Sequence, residues 1–367
     1  MQLKTAIRCW LGPRFGLKRA LVAGGVALGA AAGIAIADPK PDTSRLATQT
    51  ITVSARQIAS FERVGGSRTR YGKLEWLGGL ELQSNAASFG GWSGLAMSAN
   101  GTSLLAVSDA GTWMTADLGY DGRRPEVLKS VRTGPLKALA ARSLTRGRDR
   151  DAEAVVLLEG DLDRGKVLIA FEQNHRIGTF DIGPGGLSPP RGYLALPTPA
   201  KRMSSLKGFE AIAMLRGGPR KGALVALAEH HLDRNGNHQG WVQVRGAWEG
   251  FAMKNIGGYD PTDAAALPDG SLLILERRFR WLEGVKMRLR YVKAQDIRPG
   301  ALIEGEPLLE ADMSQEIDNM EALAVHTSAR GETIVTLMSD DNFNHFLQRT
   351  VLLQFAIPPD ALASLTR

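Results

Sequence analysis

Cysteine is almost missing from this chain: the only one is Cys9, inside a basic and apolar leader. Beyond that leader there can be no disulfide, no thiolate metal site and no cysteine nucleophile. Long apolar runs are also absent after residue 37, so no later stretch is expected to span a membrane. No glycine loop of the phosphate-cradling kind occurs, and His230-His231 lacks the spacing of a zinc helix. Gly91-Trp92-Ser93-Gly94 has its second glycine one residue early for a serine-hydrolase elbow, and it opens a strand where the elbow opens a helix. Asp233-Arg234-Asn235-Gly236-Asn237 has a misplaced glycine and no closing Glu for a calcium loop, so it reads as a polar turn. Sustained helical periodicity is scarce, which argues against long helices.

The leader itself carries a message. Lys4, Arg8, Arg14, Lys18 and Arg19 precede an apolar run that ends Ala35-Ile36-Ala37, an A-x-A cleavage pattern, so residues 1–37 read as a signal peptide. The expected location is periplasmic or secreted. The leader holds 5 of the 45 Lys and Arg and none of the 38 Asp and Glu, so the net charge falls from +7 to +2 when it is removed. The basic balance is therefore no argument for nucleic acid. Residues 38–50 are polar with two prolines and read as a flexible lead-in. Residues 51–367 form one domain in this reading.

What that domain contains is a repeat. SGLAM at Ser93, EAVVL at Glu153, EAIAM at Glu210, DAAAL at Asp263 and EALAV at Glu321 recur at spacings of 53 to 60 residues. Each is followed by a turn and a second apolar run ending in a polar cluster: SDAG at Ser108, EQNH at Glu172, EHHL at Glu229, ERRF at Glu276 and SDDN at Ser339. In an antiparallel hairpin the start of one strand lies beside the end of the next. Five hairpins arranged radially would thus bring both sets to one mouth of a central channel. The fold expected is all-β, a single β-propeller. Five repeats are visible. Strands at 51–61 and 72–81 would add a sixth, degenerate blade, and 350–357 would pair with them to remove the open edge. The tryptophans, Trp281 among them, are expected in the blade core, with one lining the mouth.

The mouth would hold Asp109, Glu153, Glu172, Glu210, Glu229, Asp263, Glu276, Glu321, Asp340 and Asp341. So many carboxylates need a countercharge. One source is a hard cation such as Ca²⁺, with Glu153, Glu210, Glu321, Asp340 and Asp109 as candidate ligands. The other is the neighbouring basic set, from which Arg277, Arg278 and His230 would hold an anionic substrate. Glu210 and Glu321 are the candidate catalytic residues, as metal ligands or base. An acid at any one of these positions could instead cap backbone amides or pair with an arginine.

FGGWSGLAMS at Phe89, LLAVSDAGTW at Leu104, GFEAIAM at Gly208, GYDPTDAAALPDGSLLILER at Gly257, and DNMEALAV with SDDNF at Ser339 resemble the bacterial phytase-like family described as having esterase-like activity. The resemblance implies a β-propeller, export from the cytoplasm and hydrolysis of phosphate or other esters. A calcium-dependent site is matched only as an acidic mouth. Two other readings stay open: a non-catalytic periplasmic propeller that binds a ligand or protein, and a lactonase-type propeller hydrolase. The substrate expected is a small anionic ester, and no obligate protein partner is implied.

Overall fold

The computed structural model describes residues 40–197, 203 and 208–366. The proposed signal peptide lies outside them. Among the described residues there are five antiparallel-dominated sheets. Each begins with one of the repeat phrases as its first strand: Trp92–Met97, Ala152–Asp161, Phe209–Met214, Asp260–Ala266 and Asn319–Thr327. The second strand of each follows after a turn: Ser103–Ser108, Arg164–Phe171, Leu224–Leu232, Leu272–Arg280 and Thr333–Asp340. The first strands contact one another in a ring, each touching its two neighbours, the last against the first. This is a five-bladed β-propeller.

Small residues make that ring possible. Ala and Gly recur on the first strands, as at Gly94, Ala154, Ala211, Ala264 and Ala322. A Cβ at Gly94 would sit 2.9 Å from Cα of Ala154 and from N of Val155 on the next blade. Outside the ring, each sheet buries both faces against its neighbours. Five apolar cores result, one between each adjacent pair, including Leu80, Leu352 and Met338 of the last sheet against Trp92 and Met114 of the first. Burial on both faces explains why Thr350–Ile357, buried at every position, is apolar except at Thr350 and Gln354, whose side chains are hydrogen-bonded to Asp341 and to Tyr120 and Thr336.

The expected sixth blade is not formed. Leu74–Gln83 pairs with Thr350–Ile357, and Ser54–Ile58 pairs with Leu74–Gln83, so both join the sheet of the fifth repeat. The physical reason lies in the repeat itself. The fifth repeat supplies only three strands, leaving the edge of Thr350–Ile357 open, and the N-terminal strands lack the opening phrase that builds a first strand. Residues of the lead-in lie along the first sheet: Gln49–Thr50 pairs with Thr133 and Arg132, and the Thr43 hydroxyl donates to Leu144 O at 3.2 Å. No described helix is long and apolar enough to cross a membrane.

Candidate functional site

A one-residue irregularity opens every blade. The pairing between first and second strands skips a register step at Trp92/Gly94, Ala152/Ala154, Phe209/Ala211, Pro261/Asp263 and Met320/Ala322. The extra residue in each β-bulge is Ser93, Glu153, Glu210, Thr262 or Glu321. A bulge re-aims its side chain away from the sheet face. One tier of the mouth therefore holds three carboxylates, one serine and one threonine.

Asp263 is thus one residue past the position that the repeat phrase suggested. It occupies the place of Gly94, Ala154, Ala211 and Ala322, facing the neighbouring first strand. Its carboxylate accepts hydrogen bonds from Leu323 N at 2.7 Å and Ala264 N at 2.8 Å. Burial holds its pKa well above the ordinary range, and those two amides pull it back. It fastens the fourth blade to the fifth. Asp263→Ala leaves two buried amides unpaired, so urea denaturation is expected to show a loss of about 1–3 kcal/mol. A midpoint equal to that of the parent would contradict this role.

The second tier comes from the residue after each second-strand partner: Asp109, Glu172, Glu229, Arg277 and Asp340. Asp260 pairs with Arg277 and Asn319 with Asp340, which fixes the level. Glu276 is one residue short of it and points to the other side. There it is fully buried against two arginines: Arg288 Nε at 2.7 Å and Arg290 Nε at 3.0 Å. Asp341 is likewise withdrawn, accepting from Gly91 N at 3.1 Å, Phe343 N at 3.0 Å and the Thr350 hydroxyl at 2.8 Å. The other sequence-predicted acids do converge.

Two residues before each bulge stand Gly91, Asp151, Gly208, Asp260 and Asn319. Asp151 and Asp260 complete two clusters. The carboxylates of Asp151, Glu153 and Glu172 offer oxygens within 4.8 Å of one another, and Glu229 and Asp260 offer oxygens equally close to each other and to a ring nitrogen of His230. Of the five predicted metal ligands, only Glu153 enters such a trio. Glu321 is held by Arg277 Nη2 at 3.4 Å and Asn319 Nδ2 at 2.8 Å. Asp109 pairs with Lys40 Nζ at 2.5 Å, and Asp340 accepts from Asn342 N at 2.7 Å. Asp151 had a sequence signal, an acid two places before the phrase opener Glu153, whereas Asp260 stands three places before Asp263 and is brought to the same level only by the bulge at Thr262. Lys40 had none, because it comes from the lead-in.

Of the predicted anion-binding groups, Arg277 is central. It reaches Glu229 at 3.8 Å as well as Glu321. Burial works against its charge, but Glu321, Glu229, Glu210 and Asp340 outweigh burial and raise its pKa. His230 bridges Glu229 at 3.2 Å and Asp260 at 3.3 Å. Arg278 lies outside the ring, bonded to Glu283 at 2.6 Å and Gly257 O at 2.8 Å, with its guanidinium over Tyr259.

The acids greatly outnumber the cations, and their protonation reflects it. Burial, followed by Asp151, Asp109 and Glu321, pushes Glu153 well above the carboxylate range. Glu210 is pushed well up by burial and then by Glu153, Glu229 and Glu172. Asp340 is pushed well up by burial and then by Glu321 and Asp109. Burial, then Asp151, raises Glu172 to about 7. Two buried carboxylate oxygens, Asp109 Oδ1 and Asp151 Oδ2, have no hydrogen-bond partner. Oxygen donors packed at this density suit a hard divalent cation.

Comparison with known proteins follows the same lines. The family model phytase-like, described as esterase-like activity of phytase, matches residues 87–343. No curated protein matches the chain. Among solved structures, a crystal structure of the Myceliophteria thermophila Cps50 (Swd1) β-propeller domain aligns at 11% identity with a TM-score of 0.39. That alignment covers 84% of this chain and 99% of the other, a likeness too loose to carry an argument.

Proposed function

Because the chain belongs to the phytase-like family, described by esterase-like activity of phytase, we propose that it is an exported hydrolase of phosphate or related esters, with its site at the acidic mouth. The observation that carries this reading is the Asp151–Glu153–Glu172 trio of the second blade, with an unpartnered buried oxygen, in a mouth whose fourth blade supplies the buried cation Arg277. Asp151, Glu153 and Glu172 would hold a divalent cation, Ca²⁺ being the best match to an all-oxygen set; Glu229, His230 and Asp260 form a second candidate cluster. Such an ion, when bound, would polarise an ester oxygen and lower the pKa of water.

The chain's own residues supply the rest. Arg277 presents a planar fork of donors at the level of the second tier, suited to orienting an anionic ester group. Its tether to Glu321 fixes that orientation. Glu210 lies among Glu153, Glu229, Glu172 and Glu321, whose charges favour its protonated form. Neutralising those neighbours lets Glu210 ionise and accept a proton from water, the role of a general base.

Glu210→Gln and Glu321→Gln test this directly, assayed on nitrophenyl phosphate and nitrophenyl carboxylate esters with Ca²⁺ present. Each is expected to lower kcat by about 100-fold or more, with the thermal midpoint kept or raised. A parent protein inert towards every ester, or variants as fast as the parent, would exclude hydrolysis at this mouth.

A further inference from the structure

One face of the propeller is unlike the other. Residues with a large apolar side chain in solvent cluster at the mouth end of the sheets: Leu232, Phe279, Trp281, Leu282, Phe346 and Leu347. Trp281 is 87% exposed and Leu282 93%. The turns at the opposite end, such as 100–102, 268–270 and 328–331, expose none. The expectation that the tryptophans belong to the blade core fails at Trp281, while Trp92, Trp113 and Trp241 are buried.

Strand overhang sets the geometry. The first strand of the fourth blade ends its pairing at Asp260–Arg277, but the outer hairpin runs on through Arg278–Lys286, Phe279–Val285 and Arg280–Gly284. Three further residues carry the Trp281-Leu282 tip about 10 Å past that level. Phe346 and Leu347 stand on the segment joining Asp340 to Thr350, at the same end of the fifth blade. The apolar side chains thus sit on separate loop tips and form no groove.

Basic residues share this face of the propeller. At the hairpin, Arg278, Arg280 and Lys286 share a single acid, Glu283, at 2.6, 3.1 and 2.9 Å. Segment 137–150, which enters the mouth end ahead of Asp151, holds Lys137, Arg142, Arg146, Arg148 and Arg150 against Asp149 alone. Arg142, Arg146 and Arg148 are exposed.

We infer that the mouth face docks on an anionic lipid bilayer, with Trp281 and Leu282 entering the interface and the basic segments meeting the headgroups. Apolar tips flanked by Arg and Lys match a surface that is negatively charged outside and apolar beneath. A bilayer accommodates separate tips without the shape complementarity that a rigid protein partner requires. The overhang recesses the acidic ring by slightly more than the Debye length of about 8 Å at physiological salt, which screens much of its repulsion from the headgroups. This docking is independent of the ester-hydrolase reading.

All described strands and helices fall within residues 40–366, so the chain from Asp38 carries the whole described fold. That chain is sedimented with phosphatidylcholine vesicles, plain or containing one-third phosphatidylglycerol, beside a Trp281→Ser/Leu282→Ser double variant. The parent is expected to bind the anionic vesicles, to bind plain vesicles far less, and to release at high salt. The double variant should partition about tenfold less strongly at an unchanged melting temperature. Brominated lipid should quench tryptophan emission in the parent and not in Trp281→Phe. Absence of binding to either vesicle, or equal binding by parent and double variant, overturns the inference and leaves a protein partner as the occupant of this face.

Discussion

Glu276→Ala is expected to cost about 3–5 kcal/mol of stability, a large share of the roughly 5–15 kcal/mol that holds an ordinary protein folded. Glu276 and Arg290 are fully buried and Arg288 nearly so. The carboxylate takes Arg288 Nε at 2.7 Å and Arg290 Nε at 3.0 Å, and also pairs with Arg290 Nη2. The guanidinium groups are otherwise spent on backbone: Arg290 Nη1 donates to Lys254 O at 2.8 Å and Glu304 O at 2.7 Å, and Arg288 Nη2 to Ile256 O at 2.8 Å. Removing Glu276 strands two buried positive charges. Only Glu310, at 3.6 Å from Arg288 and mostly exposed, remains within reach. Arg288→Met should cost less, because Glu276 keeps Arg290 and the lost charge leaves no unpaired cation. The comparison is made by urea denaturation of both variants. Equal losses would show that packing, not charge, dominates this triad. It also ties the third blade to the fourth, since Lys254 and Ile256 follow the outermost antiparallel strand of the third sheet, Ala247–Met253.

Much of the fold was legible because the repeat is tied to geometry. Each blade needs a small-residue first strand at a crowded axis and an apolar second strand, and the five phrases record those needs. Glu153, Glu210 and Glu321 were placed at the mouth for the same reason. The repeat pattern misplaces a side chain where one residue of slip matters. DAAAL at Asp263 matches the other phrases by eye, yet the bulge falls on Thr262, and a single-residue shift turns a side chain to the opposite face. The same slip moved Glu276 from the mouth to the Arg288–Arg290 pocket. A bulge leaves no mark in composition, so only the pairing register reveals it. The blade count failed for another reason: strands at the N-terminus look like strands wherever they pair, and which open edge they fill is a long-range fact. Lys40 reaches Asp109 across 69 residues of chain, a contact no local pattern announces.

Chelated protein is expected to melt at progressively lower temperature as pH rises from about 5 to about 8, and Ca²⁺ is expected to abolish that trend. The sign follows from the direction of the shifts. Glu153, Glu210 and Asp340 are well above their ordinary values, Glu172 is raised to about 7, and Asp109, Glu229 and Glu321 are raised, burial being the largest cause in each. A carboxyl whose folded pKa exceeds its unfolded value stabilises the fold below the unfolded pKa of about 4, and that stability is lost as pH rises through the folded pKa. Every such group that is protonated in the fold and ionised in the unfolded chain contributes a slope of about 1.4 kcal/mol per pH unit. Ordinary carboxylates act in a different window. Glu283, pulled down to about 2 by Lys286 and Arg280, stabilises the fold above the unfolded value and loses that contribution only in acid. The loss between about pH 5 and about pH 8 is therefore dominated by the mouth, with Asp263 adding to it and buried His326, lowered to about 4, opposing it below its unfolded value of about 6.5. A divalent ion at Asp151, Glu153 and Glu172 binds the ionised forms and displaces protons, so its stabilisation should grow with pH where that of the protons fades. Melting curves in chelator, in Ca²⁺ and in Mg²⁺ across this range measure it. A flat profile in chelator would mean that Arg277 and Lys40 already neutralise the ring. A falling profile that Ca²⁺ and Mg²⁺ leave untouched would mean that the carboxylates share protons and hold no ion, which removes the metal from the proposed hydrolysis and leaves Arg277 as the anion-binding group.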